Sequence, residues 1–235
     1  MKNLFLLAFI SFLCICTLNS QTKNELQIGL ANPQGKFADD NENNFLYKGS
    51  GLANSGIFLG YKLLSPLNSS GLYWTFNLGI MYNNLEKGWK EELEEDLEDA
   101  KDYTLQKYIN IPMLFGLQYE SNITEGMSLF GEAGLGLNIL KITNYSYEFG
   151  DDADIFYPIE FLESYKPSAQ LGIKIGGGIV LGEKYTISLN YLALGSHKVK
   201  YEWEKSYYDM VESKEERFEK ALPVNSLNIS FGIRF

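Results

Sequence analysis

The chain has 235 residues and a formal net charge of −10 at pH 7. A chain this acidic would repel nucleic acid, because its few basic residues are spread along the sequence rather than concentrated, so no nucleic-acid partner is expected. Its two cysteines are Cys14 and Cys16, which excludes a disulfide scaffold or a cysteine metal site in the chain beyond them.

Residues 1–20 form a predicted secretory signal peptide. Lys2 precedes an apolar run, Leu4–Leu18, that fades at Ser20, and this order is typical of a cleaved export signal. A membrane anchor is the alternative, but the run is shorter than the ~20 apolar residues that a spanning helix needs. We predict cleavage near Ser20, which leaves residues 21–235 as one domain.

Eight segments of the remaining chain alternate large apolar residues with small or polar ones, as transmembrane β-strands do. The clearest is LYWTFNLGIMYN at 72–83, in which every second residue is large and apolar. Pro112 interrupts the fourth segment, although the alternation continues on both sides of it. The eight segments lie at about 25–33, 53–64, 72–83, 107–119, 127–141, 168–181, 185–194 and 226–235.

The connections between these segments alternate in length. Three are short, with the sequences SPLNSSG, ESNITEG and GEK, and the four long ones cover about 34–52, 84–106, 142–167 and 195–223. This alternation predicts an all-β fold, an eight-stranded antiparallel up-and-down transmembrane β-barrel with short periplasmic turns and long extracellular loops. A soluble lipocalin-like barrel, with its apolar face turned inward, is the alternative.

Three of the strands carry a family resemblance. YINIPMLFGLQY at 108–119 resembles the "YxxIPxLxxY" strand of the PorT-like outer-membrane β-barrel family. LFGEAGLGLNIL at 129–140 resembles the family's next, glycine-rich strand, and LGIKIGGGIVLG at 171–182 resembles the strand after that. The resemblance covers roughly residues 21–235. It implies a bacterial outer-membrane location, and some members of the family serve secretion systems.

The last strand, NISFGIRF, is similar to the carboxyl-terminal assembly signal of outer-membrane barrels. Phe231, Ile233 and Phe235 are its alternating apolar positions. The similarity implies that the barrel-assembly machinery captures this strand through strand pairing.

Eight strands enclose an interior that side chains fill, which argues against a wide pore. Glu132 and Lys174 lie on the inward parity of adjacent predicted strands at similar heights, and we expect them to pair. A polar plug that holds the barrel shut is the favoured interpretation, and a proton or ion path through a narrow channel is the alternative. Polar residues that could complete the network are Lys62, Asn77, Asn110, Gln118, Gln170, Asn190, Asn228 and Arg234.

The second long loop is acidic, with seven acids in residues 91–99. Trp89, Leu93 and Leu97 recur every four residues, which predicts a short amphipathic helix over the barrel mouth. Its acids form either a solvated face or a site for calcium or a cationic partner. The third loop contains GDDAD at 150–154, which lacks the ordered ligands of an EF-hand loop. No metal site and no cofactor is therefore predicted.

His197 is the only histidine, and it follows Ser196 at the outer end of the seventh strand. Some outer-membrane barrels are lipid-modifying enzymes that use a histidine with a serine and an acid. The sequence shows no fixed spacing for such a triad, so a solvated loop histidine is favoured and no catalytic residue is assigned.

The fourth long loop is the favoured binding surface. KVKYEWEKSYY at 198–208 alternates, which predicts that the seventh strand continues above the membrane. The candidate partner-binding residues are Tyr201, Trp203, Tyr207 and Tyr208, because exposed aromatic residues are enriched at interfaces. A packed hairpin tip that buries them is an equally weighted alternative.

These patterns predict a non-enzymatic outer-membrane barrel that binds an envelope protein or an extracellular ligand through its long loops. Its other expected partners are outer-membrane lipids, including lipopolysaccharide, and the barrel-assembly machinery.

Overall fold

The fold comes from a computed structural model, which describes residues 22–39, 49–67, 70–149, 160–207 and 210–235. Three predictions lie outside these residues: the signal peptide at 1–20, the GDDAD segment at 150–154, and Tyr208 of the partner surface.

The described chain is built almost entirely of strands. They are β1 (Lys23–Gln34), β2 (Gly56–Pro66), β3 (Leu72–Asn83), β4 (Ala100–Thr104), β5 (Tyr108–Thr124), β6 (Met127–Ile142), β7 (Tyr145–Phe149), β8 (Glu160–Tyr165), β9 (Ser168–Leu181), β10 (Tyr185–His197), β11 (Lys200–Ser206), β12 (Val211–Arg217) and β13 (Leu222–Arg234). The helix α1 covers Lys87–Asp96, and a 3₁₀ helix covers Gly35–Phe37.

Eight of the strands form a closed antiparallel barrel in the order β1, β2, β3, β5, β6, β9, β10 and β13, and β13 returns to β1. This confirms the predicted eight-stranded antiparallel barrel. Two backbone hydrogen bonds join the ends of the closing pair: Asn24 N–H donates to the Phe235 carbonyl at 3.0 Å, and Phe235 N–H donates to the Asn24 carbonyl at 2.9 Å. The last residue of the chain therefore takes part in closing the barrel.

The barrel turns its large apolar side chains outward. On the closing pair, Leu26, Ile28 and Leu30 of β1 face Ile233, Phe231 and Ile229 of β13. These six side chains are 41–61% exposed, whereas the alternate residues of both strands point into the barrel. The lipocalin-like alternative required the opposite orientation and is wrong.

One predicted turn is shorter than expected. β5 continues to Thr124 and β6 begins at Met127, so a two-residue turn, Glu125–Gly126, replaces the predicted ESNITEG connection. Gly126 adopts a φ of +85°, which a side chain would disfavour and which lets the chain reverse this tightly.

A second sheet, which the sequence did not predict, is built from the long loops. It has five antiparallel strands in the order β12, β11, β8, β7 and β4, and we call it the outer sheet. The prediction that the seventh barrel strand continues through 198–208 is wrong, because β10 ends at His197 and β11 pairs only with β8 and β12. A one-residue bulge between Ala193 and Ser196 precedes this break.

The predicted amphipathic helix is confirmed as α1. The carboxylate of Glu86 accepts a hydrogen bond from the Trp89 N–H at 3.0 Å and so caps the first turn. Trp89 and Leu93 pack against buried apolar residues, and Leu97 is itself buried. No helix in the described part of the chain is long and apolar enough to cross a membrane.

Apolar side chains close the long-loop end of the barrel. They come from inward positions of the barrel strands, from the first long loop and from the segments that lead to the outer sheet. We call this cluster the apolar cap, and its members include Phe37, Leu52, Met81, Tyr108, Leu140, Leu194, Val199 and Phe218. The Tyr108 hydroxyl donates to the Gly51 carbonyl, which ties the first loop to the barrel wall.

Candidate functional site

The predicted pair lies in the lumen. Lys174 Nζ is 2.7 Å from a carboxylate oxygen of Glu132, and Lys62 Nζ is 3.1 Å from the other oxygen. Lys62 also donates to the Gln118 side chain at 3.3 Å. All four side chains are buried. Four residues of the inward parity are thus in one network, as the alternation had suggested.

The network continues towards the short-turn end. Lys62 lies 3.7 Å from Glu25, and Arg234 Nε donates to Glu25 at 2.9 Å. Arg234 also donates to Glu120 at 2.9 Å. Neither Glu25 nor Glu120 was predicted to join the network. Each lies two residues from an inward-facing glutamine, Gln27 or Gln118, and so points inward as well. We call the six charged residues the charge chain: Lys174, Glu132, Lys62, Glu25, Arg234 and Glu120.

The charge chain is electrically balanced, with three acids alternating with three bases. Each inner member has a counterion on each side. At the two ends Lys174 donates to Asn77 at 3.0 Å, and Glu120 accepts from Gln118 at 3.4 Å. The Phe130 ring lies 4.9 Å from Lys62 Nζ and covers it. Buried charges persist only when they are paired in this way.

A cavity of about 20 Å³ lies beyond Lys174, lined among others by Asn77, Asn190 and Asn228. This volume is enough for about one water molecule. Phe58, Leu114 and Leu192, which belong to the apolar cap, line the same cavity. Side chains therefore fill the lumen on both sides of the cavity.

Asn110 does not join the charge chain, and its inclusion in the predicted lumen network is wrong. It lies in the outer half of the lumen, where its side-chain oxygen accepts from Asn138 at 2.9 Å. At ~3.3 Å per residue, Asn110 is roughly 26 Å from Gln118 along β5. Alternation identifies the inward face of a strand, but height along the strand decides which residues meet.

His197 is fully buried, so its interpretation as a solvated loop histidine is wrong. The bulge between Ala193 and Ser196, with Gly195 at a φ of +89°, reverses the alternation and turns the ring inward. Its Nε2 lies 3.2 Å from the Asn138 amide and 3.1 Å from the Leu194 carbonyl. Ser196 is exposed on the opposite face of the wall, so the two residues of the enzyme alternative are not brought together.

The candidate partner-binding aromatics are mostly packed inside the protein. Tyr201 is buried and donates to Glu216 at 2.7 Å, and burial raises its pKa. Trp203 is half-buried and packs against the apolar cap, and Tyr207 is also half-buried. For Tyr201 and Trp203 the packed alternative is therefore correct, because their side of β11 faces the cap and not solvent.

The same side of the outer sheet carries other aromatic residues. Tyr147 stacks on Phe161 with ring centroids 5.3 Å apart, and Tyr145 packs edge-on against Phe161 at 5.7 Å. Burial raises the pKa of Tyr145 to about 12. These rings fix the sheet against the rest of the outer region.

The opposite side of the outer sheet is acidic and open. The strand register places its carboxylates in rows, because Asp102 faces Glu148, Glu148 faces Glu160, and Glu202 faces Glu215. Like charges directly opposite each other destabilise a sheet. We call this surface the acidic face and define it by Asp102, Glu148, Glu160, Glu202, Glu204 and Glu215.

Only part of this charge is neutralised by lysines. Glu148 pairs with Lys101 at 2.6 Å, and Glu215 pairs with Lys166 and Lys200. The other four carboxylates of the acidic face form no ion pair with another described residue. Asp102, Glu148, Glu160 and Glu204 surround an open groove of about 260 Å³.

Within the ranges that the structure covers, no group of three or more His, Cys, Asp or Glu side chains is placed to hold a metal ion.

No protein-family model matches the sequence, and no curated protein matches it. The chain is similar in structure to the outer membrane protein OprG from Pseudomonas aeruginosa, with 14% identity, a TM-score of 0.51, and coverage of 91% of this chain and 95% of that one. It is also similar to a major outer membrane protein from Thermus thermophilus, with 13% identity, a TM-score of 0.52, and coverage of 92% and 100%. At these identities the likeness extends to the fold: the chain has the closed eight-stranded barrel fold found in outer-membrane proteins.

Proposed function

We propose that this protein is a non-enzymatic barrel of the bacterial outer membrane that displays the outer sheet outside the cell for binding. The observation that carries the proposal is the acidic face, a solvent-exposed set of opposed carboxylates on the outer sheet. Its binding partner is a cationic component of the envelope or a cationic extracellular ligand, because positive charge would relieve the repulsion between the rows.

The outward apolar wall supports the membrane location. Side chains such as Leu171 and Leu135 are 72% and 67% exposed, and exposure of so many large apolar residues around a closed barrel is expected only where lipid covers them. In this placement the short turns lie in the periplasm, the wall contacts outer-membrane lipids and lipopolysaccharide, and the barrel-assembly machinery inserts the chain. Cleavage of residues 1–20, membership of the PorT-like family and a role beside a secretion system belong to the same proposal.

The filled lumen favours the interpretation of the charged network as a plug rather than as an ion path. The charge chain is paired from Lys174 to Glu120, and the buried apolar side chains of the cap close the other end of the barrel. An ion that entered from the short-turn end would have to lose its hydration shell against apolar side chains. The barrel thus serves as an anchor for the outer sheet.

The membrane location is tested by electrophoresis of the detergent-extracted outer-membrane fraction, boiled and unboiled. A closed barrel resists detergent until it is heated, so we expect a heat-dependent change of mobility in that fraction. Recovery of the protein in the soluble periplasm, with no change on heating, would contradict the location.

Binding is tested with a short fluorescent oligolysine peptide and the full-length protein in zwitterionic detergent. The test variant carries Asp102→Asn, Glu160→Gln and Glu204→Gln. The control variant removes the same charge from exposed positions in and after α1, with Glu92→Gln, Glu95→Gln and Glu98→Gln. We expect the sheet variant to weaken binding about tenfold, from three charges worth roughly 0.5 kcal/mol each.

The control decides between a binding surface and general attraction. The helix variant should change binding little, and added salt should weaken the wild-type complex. If both variants weaken binding equally, or the wild type does not bind the peptide, the acidic face is not a cation-binding surface.

A further inference from the structure

His197 lies at the junction between the barrel and the outer sheet. It is the last residue of β10, its side chain is 0% exposed, and β11 begins three residues later at Lys200. Its ring nitrogen contacts Asn138 of β6 and the carbonyl of Leu194. A buried histidine at this junction has no role in the proposed binding function.

The groups that face His197 are uncharged on each element packed against it. They are Asn138 on β6, which reaches Asn110 on β5, Leu222 opposite it on β13, and Leu194 on its own strand. Ser168 is its neighbour on β9. No carboxylate of the described residues lies within 4.0 Å of the ring. A proton on this ring would thus be a buried charge without a counterion.

The segment that contains His197 also contributes residues to the apolar cap. Leu194 and Val199, on either side of His197, are both buried members of the cap. The Val199 carbonyl accepts a hydrogen bond from Phe218 N–H at 3.0 Å, and Phe218 is another cap residue. The ring cannot reach water unless this segment moves, because it has no exposed surface of its own.

We propose that protonation of His197 loosens the apolar cap, so that the base of the outer sheet opens in mildly acidic surroundings. The closed state holds the neutral ring, whereas an opened state lets the charged ring reach water. This proposal is independent of cation binding by the acidic face, since it concerns a different part of the outer region.

The direction of the effect follows from proton linkage. The opened state takes up a proton near the ordinary histidine value of ~6.5, and the closed state takes it up only at lower pH. The closed state is thus fully favoured above pH ~6.5 and loses its advantage as the pH falls below that value. Between the two values, opening rises by up to about tenfold per pH unit.

Hydrogen exchange of the full-length protein in detergent tests this proposal between pH ~7.5 and ~5. Rates are divided by the intrinsic rate at each pH. We expect amides of residues 194–201 and 49–54 to open more often at the acidic end, while β9 in the barrel wall stays protected. His197→Gln keeps a neutral polar side chain and should abolish the pH dependence. His197→Asn is the second variant if the first does not give a heat-modifiable barrel.

Two outcomes overturn the proposal. One is a wild-type cap whose opening does not change with pH over this range. The other is a pH dependence that persists unchanged in a folded His197 variant, which would assign it to carboxylates. Loss of cation binding at the acidic face alone leaves these exchange results unaffected, so the two proposals fail separately.

Discussion

Glu132 and Lys174 form an ion pair of 2.7 Å on adjacent strands inside the barrel, and both side chains are buried. Because Lys62 shares the same carboxylate at 3.1 Å, Glu132 neutralises two lysines at once. Its loss would leave Lys174 without a carboxylate partner among the described residues and Lys62 with Glu25 alone.

Glu132→Gln should destabilise the barrel by about 3 kcal/mol, because it leaves buried lysines with one counterion fewer than they need. The measurement is urea unfolding in detergent, followed by loss of the heat-modifiable band. The double variant Glu132→Gln/Lys174→Met removes one charge of each sign and should regain at least part of the loss. A double variant as unstable as the single one would show that the ion pair is not the cause.

Phe235→Ala should reduce assembly before it affects any binding. Phe235 pairs with Asn24 through both backbone groups, and its side chain lies on the outward parity of β13. The amount of heat-modifiable protein in the outer-membrane fraction measures assembly. Phe115→Ala removes an outward phenylalanine from the middle of the wall and serves as the control. Equal losses in the two variants would argue against a special role of the last residue.

Planar bilayers that contain the protein should show no current steps above background. The charge chain and the apolar cap fill the lumen from opposite ends, with room between them for about one water molecule. Regular steps in the wild type, absent from bilayers that contain heat-unfolded protein, would establish a channel and contradict the plug.

His197→Ala should leave the lipid A and phospholipid profiles of the cell unchanged. The ring is buried on the inner side of the wall and Ser196 is exposed on the opposite face, so the two cannot act together on a lipid. Mass spectrometry of extracted lipids from cells with the wild type, the variant and no protein makes the comparison. A lipid product that depends on His197 would restore the enzyme alternative.

The hydrogen bond by which Glu86 caps the first turn of α1 should weaken in acid. The hydrogen bond from Trp89 N–H holds the pKa of Glu86 below its usual value. A lowered pKa adds stability to the folded helix above the ordinary glutamate value of ~4.3, and this stability is lost as the pH falls through the lowered value.

We expect about twofold faster hydrogen exchange in α1 at low pH, after correction for intrinsic rates, since an exposed cap is worth roughly 0.5 kcal/mol. In Glu86→Gln the helix should exchange at the faster rate already at neutral pH and show no further change. A pH response that is the same in the variant would mean that other acids of the loop cause it.

The barrel strands could be predicted because each one alternates outward apolar residues with inward residues along its whole length. In β3 and β9 every outward position meets the same apolar surroundings, so alternation alone locates Leu72–Asn83 and Ser168–Leu181 at their observed ends. The ion pair of Glu132 and Lys174 followed from the same parity and from counting height above the short turns.

The outer sheet could not be predicted in this way. β12 reads VESKEER, in which every residue after Val211 is polar or charged, and β4 and β7 have five residues each, too few to establish a period. Their pairing depends on neighbours far away in the chain.

The burial of His197 was not predicted for a local reason, since one extra residue at the bulge reverses the face that the preceding alternation predicts.

The pairing of β1 with β13 joins strands that lie far apart in the sequence, so the barrel cannot close until the chain has been synthesised through β13. Arg234 must find Glu25, 209 residues earlier, and Phe235 must find Asn24 before the ring can shut. Such distant pairing is slow, because the entropy of closing the whole chain is lost before any contact forms. Without β13 the barrel is an open sheet with two unpaired edges, and Glu120 loses its counterion Arg234, so the protein is exposed to aggregation or proteolysis.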